Sequence, residues 1–196
     1  MATEVRDYFI LDVETSPIDF EAYDTLSEEE KLKKLNPIDS RIVAIGIRYR
    51  GVDTIFSQED EKELLDEFWL HWKTIIKGGN LIKVVGFNIN NFDLPFIITR
   101  SYFHGVEISP FVLKDFIIDI RDKISAYRYG PCRGTLKDFG PCAGATVMDI
   151  DGSAVPKLYH EGKTEEIIKY LKNDLLMTDK VFQRIRDTKI VYIDRW

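Results

Sequence analysis

Cysteine is scarce in this chain, with two residues in 196, Cys132 and Cys142. That argues against a disulfide-dense secreted scaffold and fits a reducing compartment; the spacing of ten permits a disulfide, but free thiols are the expectation. Neither cysteine has a histidine at zinc-ligand spacing, which argues against a zinc site. Long apolar runs are also missing: none approaches the roughly 18 residues of a membrane span. The start, MATEVRDYF, has no basic region followed by an apolar stretch and so no secretory signal. No membrane association and a cytoplasmic location are the expectations. Positive charge is in deficit, with 27 Lys and Arg against 33 Asp and Glu and a net charge of -6. A protein that grips duplex nucleic acid chiefly through phosphates is usually basic. An enzyme whose acids bind metal ions is compatible with this balance, because the ions reverse the local sign. Linkers and low-complexity tracts are absent. A single domain over residues 1–196 is expected, long enough for a substantial core.

What is present is an alternation of strand and helix signals. YFILDVE (8–14) reads as a strand rich in aromatic and branched residues. Residues 16–40, with Pro17, Pro37 and SEEEKLKKL, read as an insertion holding one short helix capped by Ser27. RIVAIGIRYRG and VDTIFS read as two strands about a turn at Gly51. EDEKELLDEFWLHWKTIIKGG reads as a helix with Leu65, Phe68, Trp72, Ile75 and Ile76 on one face, ended by Gly78. LIKVVGFN is a strand. NFDLPFIITRSYFHG is a helix with Pro95 in its first turn. FVLKDFIIDIRDKI is a strand and a short helix, and GTLKDFG a short helix or turn. A long helix runs from Thr164 to about Lys189, striped by Ile168, Leu171, Leu175, Phe182 and Ile185. The order predicts an α/β fold with a central mixed β-sheet flanked by α-helices.

The acids raise a chemical question. Residues two apart on a strand share a face, so Asp12 and Glu14 point the same way. Two close carboxylates raise each other's pKa unless something neutralises them, and a divalent cation with oxygen ligands does so. A wet strand end is the plain structural alternative. Asp93 follows a strand and opens a helix, where an acid can also serve simply as a first-turn residue. Tyr170 and Asp174 are four apart and share a helix face beside the apolar stripe. Taken separately, they fit an ordinary boundary tyrosine and a surface acid. Together, the three segments can bring four carboxylates and a phenol to one sheet edge.

FILDVETSP, GFNINNFDLPFI and YLKNDLLMT carry a family likeness. The sequence resembles the 3'-5' exonucleases of the ribonuclease H-like fold, in the branch called DEDDy for its four acids and tyrosine. The likeness is nearest to the proofreading exonuclease domain of family B DNA polymerases. The three stretches match the first, second and third exonuclease motifs. The second match is the most specific: an Asn, then Phe-Asp, then Leu-Pro. No polymerase sequence follows, so a stand-alone exonuclease domain is expected. A histidine-type relative would need His-x-x-x-x-Asp in the third motif, whereas His160 is followed five places later by Glu165.

The resemblance implies that Asp12, Glu14, Asp93 and Asp174 hold two divalent cations, Mg²⁺ or Mn²⁺, and that Tyr170 orients the attacking water. It further implies Thr15, Asn88 and Phe92 as contacts to the terminal nucleotide. The substrate would be the 3' end of single-stranded DNA or RNA, DNA favoured, giving nucleoside 5'-monophosphates. A polymerase or another replication or repair protein is the implied partner. The basic and aromatic stretch Tyr127, Arg128, Tyr129, Arg133 and Lys137 can track a backbone or form a solvated loop. His71 and His104 fall outside the motifs and read as surface residues. Two rival readings compete with this one. LDVET approximates the nucleophile motif of haloacid-dehalogenase phosphatases, but Glu14 replaces the second Asp and no Asp-Asp pair follows. The other is a catalytically inactive ribonuclease H-like module for nucleic-acid binding or assembly.

Overall fold

The structure is a computed structural model that describes residues 5, 7–77, 82–111, 116–127 and 134–194. Five strands form one sheet: β1 (Asp7–Pro17), β2 (Ser40–Tyr49), β3 (Val52–Phe56), β4 (Ile82–Gly86) and β5 (Ile117–Asp119), in the spatial order β3-β2-β1-β4-β5. β2 runs antiparallel to β1 and β3, whereas β4 is parallel to β1 and β5 to β4. The sheet is therefore mixed, as the order of signals predicts. The β2–β3 hairpin closes through Arg50 and Gly51, both at positive φ (51° and 81°). That is the backbone of a two-residue turn matched to strand twist, and glycine adopts it without a Cβ penalty.

β1 is central and covered on both faces, so Phe9, Ile10 and Leu11 are all buried. Its alternation divides two cores. Phe9, Leu11 and Val13 join Leu64, Leu65, Phe68, Trp69 and Trp72 of α3 (Glu61–Ile76) and Phe96 and Ile97 of α4 (Asp93–His104). Ile10 joins Val43, Ala44 and Val85 with Leu171, Leu175 and Phe182 of the last long helix. Asp12 and Glu14 follow Ile10 at the same period, so they face that helix.

Between β1 and β2 the chain makes two short helices, α1 (Phe20–Asp24) and α2 (Glu28–Lys34), where the sequence suggests one. β1 extends to Pro17 and β2 starts at Ser40, so the excursion proper spans 18–39. The extra helix has its own cap: the Asp19 carboxylate accepts from Ala22 N–H at 3.0 Å. Ser27 caps α2 as expected, in a reciprocal box with Glu30.

β5 leads into α5 (Ile120–Ile124), followed by α6 (Leu136–Phe139), α7 (Val155–His160) and α8 (Thr164–Asp187). On α8 the inward residue is Ile167, while Ile168 is half-buried; the rest of the expected stripe faces the core. No described helix is long and apolar enough to cross a membrane. Gly78, Arg128, Tyr129, Cys132 and Arg133 lie outside the described residues, so expectations resting on them have no structural counterpart here. Cys142 is an exposed free thiol.

Candidate active site

β1, α4 and α8 meet near the end of the central strand. Asp12 and Glu14 project from β1 toward α8, where Tyr170 and Asp174 lie in the buried stripe with Leu171 and Leu175. One glycine permits the approach. Gly46 pairs with Asp12 across β1 and β2. A Cβ there would stand 2.7 Å from Leu175 Cδ1 and 3.0 Å from Leu171 Cγ. The bare backbone thus lets α8 settle onto the sheet beside Asp12.

The result is a tight acid group. One carboxylate oxygen each from Asp12, Glu14 and Asp174 lies within 4.8 Å of the others. Glu14 and Asp174 are buried and Asp12 half-buried. Asp174 Oδ1 is buried with no hydrogen-bond partner. Such an atom is costly to leave unpaired, and a cation is a natural occupant. Burial raises the pKa of Asp12 well above the usual carboxylate range, reinforced by the charges of Asp93, Glu14 and Asp174. Glu14 is raised in the same way by burial, then by Asp174 and Asp93. Asp174 is raised by burial, with the Tyr170 hydroxyl and the Lys137 ammonium opposing. The three-acid group with an unpaired buried oxygen fits a divalent cation held by hard oxygen ligands.

Asp93 sits differently. It is the first residue of α4, almost fully buried, and its Oδ1 accepts from Val13 N–H at 3.0 Å. The helix is thereby pinned to the strand between the two β1 acids. Burial pushes the Asp93 carboxyl up to about 7, with the Val13 N–H working against that rise. Tyr170 is also buried, and its phenol is raised by burial and by the charges of Asp174 and Glu14. A phenol so placed keeps its proton at neutral pH.

Lys137, from α6, lies 5.6 Å from the centre of the Tyr170 ring. It donates to the Ile150 carbonyl and is 3.6 Å from Asp151. Of the basic and aromatic stretch, this residue does reach the site. Thr15 is buried just past a β-bulge between Glu14 and Thr15. Phe92 is half-buried and packs on Phe96 at 4.9 Å.

Asn88 adopts positive φ (64°) and belongs to a loop organised by a residue that motif reading missed. Asp119, at the end of β5, is buried. It accepts from the backbone N–H groups of Asn88 and Asn90, each at 3.0 Å, and of Arg121 at 2.9 Å. The Asn88 side-chain Oδ1 in turn accepts from the Arg121 guanidinium at 3.1 Å. Asp119 therefore holds the loop that leads into Asp93. Its only sequence signal was an acid ending a short apolar run, IIDI. His104 is no isolated surface residue either: it lies 2.9 Å from Glu61, which is buried and paired with Arg100 at 2.6 Å. That cluster also fixes the excursion, since Arg100 donates to the Pro37 carbonyl.

An α/β domain with a mixed five-stranded sheet and acids gathered at the end of its central strand has the ribonuclease H-like fold of the exonuclease domains of family B DNA polymerases. The family B DNA polymerase of the hyperthermophilic archaeon Pyrobaculum calidifontis superposes with a TM-score of 0.69 over 93% of this chain, at 16% identity. The chain spans 25% of that polymerase. Residues 40–190 match a family described as predicted 3'-5' exonucleases related to the exonuclease domain of PolB, and the chain belongs to that family. An uncharacterised protein of Methanocaldococcus jannaschii is 34% identical over 167 residues, 80% of this chain and 92% of that protein. The family match includes Asp93, Tyr170 and Asp174 but begins beyond Asp12 and Glu14.

Proposed function

We propose that this chain is a DEDDy-type, metal-dependent 3'-5' exonuclease. It removes nucleoside 5'-monophosphates from the 3' end of single-stranded nucleic acid, DNA in preference to RNA. The observation that carries the reading is the convergence of Asp12, Glu14 and Asp174 within 4.8 Å, together with an Asp174 oxygen that is buried and unpaired. Asp12, Glu14 and Asp174 would hold one Mg²⁺ or Mn²⁺ ion, and Asp12 with Asp93 a second. Such a pair lowers the pKa of an attacking water and offsets charge on the departing 3' oxygen.

The protein's own groups supply orientation. Asp93 keeps α4 against Val13, which fixes the spacing of the acids from the two elements. Tyr170, protonated, orients the water by hydrogen bonding rather than removing its proton. In the hydrolysis, the water oxygen bonds to phosphorus and releases a proton to solvent, the bond from phosphorus to the 3' oxygen breaks, and that oxygen takes up a proton from solvent. Thr15, Asn88 and Phe92 border the terminal nucleotide, with Phe92 offering an aromatic edge. Kinship to a polymerase domain makes a polymerase, or another replication or repair protein, the partner class to seek.

The test uses 5'-labelled single-stranded DNA and RNA of equal length with Mg²⁺, Mn²⁺ or EDTA, and wild type or Asp12→Ala. A descending ladder that requires both metal and Asp12 supports the proposal, and the faster substrate identifies the preferred nucleic acid. Folded, metal-binding protein that yields no ladder on either substrate would overturn it in favour of a binding module.

A further inference from the structure

The excursion between β1 and β2 is the part of the chain that the proposed chemistry leaves unused. Its first helix does not simply hang in solvent. The Phe20 ring stacks on the His160 ring of α7, with centroids 4.3 Å apart and planes at 17°. Tyr23 lies 6.3 Å from Phe20 in a tilted arrangement. Beside them, where Arg41 pairs with Ser16 at the end of β1, the Arg41 guanidinium lies 5.7 Å from the centre of the Tyr159 ring. Ile18, at the start of the excursion, is 58% exposed. Three segments thus bring four rings and a guanidinium to the exit of the strand that carries Asp12 and Glu14.

The cluster also connects directly with the other side of the acid group. The turn Gly152–Ala154 runs straight into α7, and a Cβ on Gly152 would come 3.4 Å from the Tyr170 hydroxyl. α7 has six residues, so it advances the chain roughly 9 Å along its axis to reach His160. A ring pair whose purpose was packing alone would be enclosed, yet His160 is exposed and Phe20 only half-buried.

We propose that Phe20 and His160, with Arg41 at their flank, form a stacking platform for unpaired nucleobases of the strand entering the acid site. The proposal rests on the exonuclease reading for its ligand. Aromatic faces accept any base, and a guanidinium adds cation–π attraction and a phosphate partner. Bases within a duplex are already stacked on one another, so the platform selects single-stranded or frayed ends.

Binding without hydrolysis tests it. A fluorescein-labelled oligothymidylate and an abasic chain of equal length and charge are titrated with the full chain in EDTA, followed by anisotropy. Wild type is expected to bind the base-bearing chain more tightly, by a factor between about fivefold and about a hundredfold. Phe20→Ala and His160→Ala should each remove most of that difference and leave abasic binding unchanged. Phe20→Trp should retain it. Should Phe20→Ala loosen α1, the exposed His160 carries the same test. Equal binding of the two chains by wild type, binding of neither, or variants that weaken both chains alike would overturn the platform. The ladder assay separates the two proposals. Hydrolysis with no base preference sinks the platform alone, whereas base-dependent binding without hydrolysis sinks the exonuclease reading alone.

Discussion

The two faces of β1 are built on opposite terms. On one, Phe9, Leu11 and Val13 meet Trp69, Trp72 and Phe68, and ring contacts such as Phe9 with Trp72 at 5.1 Å fill the space with apolar surface. On the other, the same strand at the same period replaces apolar side chains with Asp12 and Glu14, and α8 answers with Tyr170 and Asp174. The first face stabilises the fold. The second concentrates like charge in a dry place, which costs stability unless a cation offsets it. The contrast shows how one strand serves both needs: the apolar face supports the strain of the acidic one.

The largest effect should come from the acidic face. If the proposed exonuclease reading holds, Asp12→Asn or Glu14→Gln should lower the hydrolysis rate on the order of a thousandfold or more, because each removes a carboxylate from the proposed cation-holding group. Single-turnover rates at saturating Mg²⁺ measure this. Metal-free melting temperatures of the same variants should stay level or rise, since repulsion is relieved. A variant that lost stability as well as rate would break the comparison.

The apolar face should behave in the reverse sense. Trp72→Ala empties a fully buried site and should cost about 3–5 kcal/mol in denaturant unfolding. That loss should be the same with and without Mg²⁺. A smaller effect is expected at the seam between the faces. Gly46→Val should cost about 1–3 kcal/mol, because the added side chain meets Leu175 and Leu171. Unlike Trp72→Ala, it should also weaken Mg²⁺ binding by displacing Asp174 from Asp12, which calorimetric titration would register.

The subtlest expectation concerns pH. The Asp93 pKa is raised in the folded state to about 7, above its unfolded value near 4. Between those values the folded state binds more protons, so its contribution to stability is greatest at low pH and falls as pH rises from about 4 to about 7. Metal-free protein should therefore melt at a lower temperature at pH 8 than at pH 5. Asp93→Asn keeps an acceptor for Val13 N–H and should flatten part of that slope. An unchanged slope would assign the effect to the other acids.

The sheet, the helices and the faces that Asp12, Glu14, Tyr170 and Asp174 occupy were largely legible in the chain, because each rests on a local signal. Period-two alternation put Asp12 and Glu14 on one face, and the four-residue spacing did the same for Tyr170 and Asp174. Other features depend on partners distant in sequence. Asp119 looks ordinary until β5 sets it beside the loop of Asn88 and Asn90, 31 and 29 residues away. His104 looked superficial until Glu61, 43 residues earlier, came within reach. The first helix of the excursion, α1, carries no such local signal, because it is a five-residue element defined by the Asp19 cap rather than by any apolar period.

The sequence by itself determined which residues could do chemistry and which faces they would occupy, since side-chain direction follows from backbone period alone. Tertiary structure decided that those faces meet. The bare backbone at Gly46 lets α8 close on β1, the Val13–Asp93 hydrogen bond seats α4, and the Phe20–His160 stack sets the excursion at the rim. Each is a contact between segments far apart in the chain, and no local propensity encodes such a distance.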